Sequence, residues 1–120
     1  MFPNLIQDVI STEGLVSTDR LADRLHITKQ ELATATGLSK DAVTKTARAN
    51  SSSTQRRLRE TVEIINRILP WAGSLTGAFA WYRSQPLPSL GDKTAEELVK
   101  EGQVEMLRRY LSRIADGGYA

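Results

Sequence analysis

The stretch from Gln55 to Leu69 constrains this chain more than any other. Leu58, Val62, Ile65 and Leu69 recur at helical spacing, and Ile64 and Ile68 form a second stripe beside them. A helix that is apolar over so wide an arc has to be covered from more than one side. The stretch therefore predicts a central strut that joins the two halves of the chain. It follows the polar break Asn50-Ser51-Ser52-Ser53-Thr54, and Pro70 stops or kinks it.

The segments that flank the strut carry start and stop signals for short helices, so the fold expected is all-α. Pro3 suits the first turn of a helix that ends near Ile10, and Leu21 and Leu25 mark a second amphipathic helix. Thr28 and Glu31 have capping-box spacing, Gly37 suits a tight turn, Leu38 fills the space between helices, and Ser39 caps the next helix. Val43 anchors that helix, which should run from Lys40 to about Ala49 with Ala47 also facing inward. This is the letter pattern of a helix-turn-helix over about residues 28–49.

Beyond the strut, a helix from Ser74 to about Gln85 is flanked by Gly73 and Gly77, and Trp71, Phe79 and Trp81 are expected in the core. Pro86 and Pro88 forbid its continuation, and Gly91 supplies a turn. Thr94 with Glu97 forms a second capping box, and Gly102 ends that helix. Val104, Leu107, Leu111 and Ile114, with Met106 and Tyr110 beside them, predict an amphipathic helix to Ala115. The expected organisation is a helical part over 1–69, including the strut, and a smaller helical part over 70–120.

Cysteine is absent, so there is no disulfide framework and no thiolate nucleophile or ligand, and a reducing compartment, the cytoplasm, is the expected location. No apolar run approaches the roughly 20 residues of a membrane span. His26 stands alone at a helix end, no metal-ligand spacing or glycine-rich phosphate loop occurs, and the acids of KTAEELVKEG fall where helix-surface charges belong. The chain reads as a binding protein without metal or cofactor, not as an enzyme.

Net charge is only +2, yet residues 40–59 hold six basic residues against Asp41 alone, a local excess of +5. Placed on the second helix of a helix-turn-helix, Lys40, Asp41, Thr44, Lys45 and Arg48, with Ser39 at the rim, face a DNA major groove. Apart from Phe2, aromatic residues are missing before Trp71, which favours duplex DNA over stacked single strands. Arg56, Arg57 and Arg59 fit either phosphate contact or a solvated face. A homodimer is expected, because palindromic duplex sites match two-fold symmetry.

The C-terminal half carries a more specific pattern: Trp81, Pro86, Leu90-Gly91, Thr94, Glu97-Leu98-Val99, Gly102 and the closing Leu111-Ser112-Arg113-Ile114-Ala115-Asp116-Gly117-Gly118-Tyr119-Ala120. In this order and spacing the chain resembles the antitoxins of the Xre/MbcA/ParS type through their toxin-binding domain. It departs from their pattern at Asp92, where a glycine is usual, and at Ala95, where a proline is usual.

The resemblance implies direct neutralisation of a RES-domain toxin, an NAD-consuming enzyme, and autorepression of the operon. It also implies that the terminal segment enters the toxin's NAD pocket. Gly117 and Gly118 would admit the backbone to a narrow cleft and Tyr119 would supply apolar area. The Ala120 carboxylate, or Arg113 and Asp116, would pair with charged groups there. A different reading of the same residues is a one-component helix-turn-helix regulator whose C-terminal half dimerises or binds a small molecule; it predicts an apolar pocket between the last helices and no need for the final residues.

Overall fold

In a computed structural model, which describes residues 4–116, the chain is all-α. Nine α-helices and one 3-10 turn occupy the described residues: α1 (Leu5–Val9), α2 (Thr18–Leu25), α3 (Lys29–Thr36), α4 (Lys40–Thr44), α5 (Thr46–Ala49), α6 (Ser52–Ala72), α7 (Leu75–Ser84), the 3-10 turn Pro88–Leu90, α8 (Ala95–Lys100) and α9 (Val104–Ala115).

Helix α6 is the predicted strut, and α1, α3, α5, α7, α8 and α9 all pack on it. Its Leu58, Val62, Ile64, Ile65 and Ile68 have no exposed surface. Each such side chain contributes about 1.5–3 kcal/mol of burial free energy. The apolar cluster is continuous from Leu5 to Leu111 and draws on both halves of the chain.

The strut is longer than its apolar pattern. It starts at Ser51, whose side chain accepts a hydrogen bond from the Thr54 amide, and it passes through Pro70 instead of stopping there. Pro70 lies exposed in the last turn, where a missing N–H removes a single intrahelical bond. The helix ends at Gly73, whose φ of 79° is left-handed and whose amide returns to the Leu69 carbonyl oxygen.

The expectation of a buried Trp71 is also corrected. Phe79 is buried and Trp81 is half-buried against the core, but Trp71 is 43% exposed. It follows Pro70 in the last turn of α6 and stands edge-to-face with Trp81, with centroids 6.2 Å apart and planes at 64°.

Several buried polar groups tie the helices together. Tyr82 of α7 is fully buried and its hydroxyl donates to the Ala35 carbonyl oxygen of α3 at 2.8 Å. Asn66 Oδ1 accepts from the Leu5 amide at 2.7 Å and holds the start of α1 on α6. Helix α9 docks on α6 through Arg108, whose guanidinium donates to the Glu63 carboxylate at 2.8, 3.0 and 3.2 Å, and through Arg67 Nη2 to Ser112 Oγ at 2.8 Å. No helix among the described residues is long and apolar enough to cross a membrane.

Candidate nucleic-acid and protein-binding surfaces

The α3–Gly37–α4 unit follows its local signals closely. Thr28 and Glu31 form a complete capping box at the start of α3. Gly37 ends the helix at φ 74°, with its amide on the Ala33 and Thr34 carbonyl oxygens. A Cβ there would lie 3.0 Å from Lys100 Cγ and 3.1 Å from Arg57 Nη1, so glycine serves both the turn and the close packing of α8 and α6 over it. Ser39 Oγ accepts from the Ala42 amide at 3.1 Å, and Val43 is buried.

The second helix differs from its expected form. Instead of one helix from Lys40 to Ala49, the chain breaks at Lys45, which is extended (φ −96°, ψ 121°), and resumes as α5 without a side-chain cap. Neither glycine nor proline causes the break. Ala49, not Ala47, turns inward, and its carbonyl oxygen accepts from Gln55 Nε2 at 2.9 Å. The same Gln55 amide exchanges two bonds with Val16, accepting from its N–H at 2.8 Å and donating to its oxygen at 3.1 Å. Gln55 is 5% exposed and, with these three bonds, fastens α5 and the segment before α2 to the strut. The β-branched run Val43-Thr44 and Thr46 resists helix only weakly, so the tether decides where α5 must end. Sequence reading misses Gln55, because a glutamine near the start of a helix looks like any surface residue.

Ser39, Lys40, Asp41, Thr44, Lys45 and Arg48 are all exposed. Thr44 turns its hydroxyl back to the Lys40 carbonyl oxygen at 2.8 Å. Among the described residues Lys40, Lys45 and Arg48 pair with no carboxylate. They form an unneutralised basic surface across α4 and α5.

The three strut arginines separate into two kinds. Arg57 donates to the Thr36 carbonyl oxygen at 2.8 Å, satisfying the end of α3, and lies 3.6 Å from Glu60. Arg59 donates to the Gly14 carbonyl oxygen. Both therefore hold the fold together, and Arg56 alone of the three is engaged by neither a carboxylate nor a carbonyl oxygen among the described residues. Shallow clefts lie beside this region. One, of about 160 Å³, is bounded by Ser17, Lys29, Thr44 and Asn50 among others; another lies along Arg56 and Glu60.

In the C-terminal half, Leu90-Gly91, Thr94 and Gly102 of the pattern occupy turns and caps, while Trp81, Glu97-Leu98-Val99 and Leu111 to Ala115 lie within α7, α8 and α9. Leu87 and Lys93 bridge around the 3-10 turn, Gly91 and Asp92 both have positive φ (74° and 61°), and Thr94 with Glu97 forms a complete capping box. The left-handed backbone at Asp92 is the conformation that glycine takes most easily, and aspartate tolerates it better than most residues. Ala95 is fully buried at the first position of α8. Hydrogen bonds from the Thr94 amide and hydroxyl hold the Glu97 carboxyl below its ordinary range. Gly102 leaves α8 at φ 77°.

Arg113 is exposed, with its guanidinium 5.9 Å from the Tyr110 ring centroid, and Asp116 is exposed at the end of α9. Gly117, Gly118, Tyr119 and Ala120 lie outside the described residues. His26 is the exposed, left-handed C-cap of α2. Among the described residues no three His, Cys, Asp or Glu side chains gather as a metal site. No protein family, curated protein or solved structure matches the chain.

Proposed function

We propose that this chain is the antitoxin of a two-component toxin-antitoxin pair. It binds and neutralises a RES-domain, NAD-consuming toxin through its C-terminal half, and as a homodimer it binds duplex operator DNA through α4 and α5 to repress its own operon. The toxin half of this reading rests on the resemblance of residues 81–120 to the Xre/MbcA/ParS antitoxins.

The observation that carries the DNA half is the unneutralised cation set Lys40, Lys45 and Arg48, exposed directly after the Gly37 turn and held in place by Gln55. Of the strut arginines, Arg57 and Arg59 are occupied by backbone carbonyl oxygens. Contact with DNA phosphates makes the affinity fall steeply with salt. Lys45→Ala with Arg48→Ala, tested by fluorescence anisotropy on the operator duplex, abolishes binding and leaves toxin neutralisation intact. Retained operator affinity at physiological salt refutes this face.

A further inference from the structure

Helix α9 has two flanks of opposite character. On one, Arg108 and Ser112 are engaged by Glu63 and Arg67 of the strut, and Glu105 pairs with Arg108 at 3.0 Å. On the other, Met106, Arg109, Tyr110 and Arg113 follow one another at i, i+3, i+4 and i+7 and share one face. Met106 is 39% exposed, one of only two large apolar side chains so exposed among the described residues. Tyr110 is half-buried, and its ring lies beneath the Arg113 guanidinium. Among the described residues neither Arg109 nor Arg113 meets a carboxylate, although every other arginine of α9 and of its contact with the strut does.

We infer that this free flank of α9 is a docking ridge for a protein groove with an apolar floor and carboxylates along its rim. The inference rests on the antitoxin reading, in which that groove belongs to the toxin. Met106 and Tyr110 supply the apolar contact: a thioether adapts to irregular surfaces, and a tyrosine loses little conformational freedom on binding. Arg109 and Arg113 set two guanidinium groups beside them that no carboxylate among the described residues engages, which suits an acidic rim. Stacking on Tyr110 holds the Arg113 fork in place, so its donors meet a carboxylate pairwise with less ordering cost. A nucleic acid fits this ridge less well. An exposed methionine beside a half-buried tyrosine gives a phosphate backbone nothing to bind.

The test uses the full chain and a purified RES-domain protein encoded next to it, with affinity measured by titration calorimetry. Met106→Ala with Tyr110→Ala should weaken binding by about tenfold or more, as loss of central anchors does. Arg109→Gln with Arg113→Gln should do the same and flatten the salt dependence of association, and Arg109→Lys with Arg113→Lys should restore part of both. Operator affinity stays at the wild-type value in all of them and the unfolding temperature does so in the arginine variants, which separates loss of the ridge from loss of the fold; the anchor variant, which removes the core-packed Tyr110 ring, unfolds at a lower temperature. Should the anchor variant unfold, the arginine variants, whose side chains are exposed, carry the test alone.

Wild-type affinity in the variants overturns the ridge while the antitoxin reading stands. Loss of operator affinity in the arginine variants assigns the flank to nucleic acid instead and equally overturns it. Failure of the unaltered chain to bind the RES-domain protein removes the antitoxin reading, and the ridge with it.

Discussion

Tyr82 donates its hydroxyl proton to the carbonyl oxygen of Ala35 at 2.8 Å, in an interior position with no exposed surface. The bond fastens α7, in the C-terminal half, to α3, the helix that ends at the Gly37 turn. Tyr82→Phe leaves that buried carbonyl without its donor and should cost about 1–3 kcal/mol in chemical unfolding. Burial holds the Tyr82 hydroxyl above the ordinary phenol range. Its folded value is raised, so the stability it lends is complete below the unfolded value of about 10 and is lost as pH climbs above it. Wild-type protein should therefore lose stability between about pH 10 and pH 12, and Tyr82→Phe should lose less. Equal slopes in the two proteins contradict the assignment.

Gly37→Ala combines two penalties. The left-handed backbone at φ 74° costs an alanine about 1 kcal/mol. The new Cβ also crowds Lys100 Cγ and Arg57 Nη1 at 3.0 and 3.1 Å. Thermal unfolding should show a loss of about 1–3 kcal/mol, whereas Gly91→Ala, where a Cβ has open space, should lose only the backbone part. Equal losses at the two positions would mean that the packing of α6 and α8 on the turn contributes nothing.

Replacing Gln55 by leucine keeps the volume and removes three hydrogen bonds to Val16 and Ala49. The expected loss is about 2 kcal/mol or more, because backbone groups of both segments are left buried and unpaired. Since the bond to Ala49 places α5, operator affinity should fall further than toxin affinity does. Proportional losses in both activities would make Gln55 a general core residue and no more.

Glu97 reports on α8 through pH. Its folded carboxyl is depressed by the Thr94 hydrogen bonds, so the capping box is intact above the unfolded value of about 4.3 and is lost as pH falls through the lower folded value. Glu97→Gln removes this titration and should flatten the acid limb of the unfolding-temperature profile below about pH 5. An unchanged acid limb shows that the box adds no pH-dependent stability.

The elements legible in the sequence are those set by neighbours along the chain. Thr28 with Glu31, Thr94 with Glu97, Gly37 and Gly102 cap or turn the backbone as their spacing predicts, and α9 spans Val104–Ala115 as its apolar repeat predicts. What stayed illegible is decided across the fold. Helix α5 ends where Gln55 binds the Ala49 carbonyl oxygen, and the break at Lys45 comes without a breaker residue. Pro70 lies in the last turn of α6, where its missing N–H removes one intrahelical bond, and the helix runs on to Ala72. Arg57 and Arg59 fit phosphate contact or a solvated face in the sequence, and nothing near them reveals that Thr36 and Gly14 present carbonyl oxygens to them. For the surfaces, exposure of Ser39, Lys40, Asp41, Thr44, Lys45 and Arg48 was legible, and the asymmetry of α9 was not, since Glu63 and Arg67 choose which flank is covered.

The most direct measurement is NAD depletion by a purified RES-domain protein encoded beside this chain, with the intact chain added and with a version that lacks Gly117 to Ala120. The account predicts that the intact chain stops NAD loss and that the shortened one, although it still folds and binds the operator, does not. Undiminished NAD loss in the presence of the intact chain contradicts the antitoxin reading.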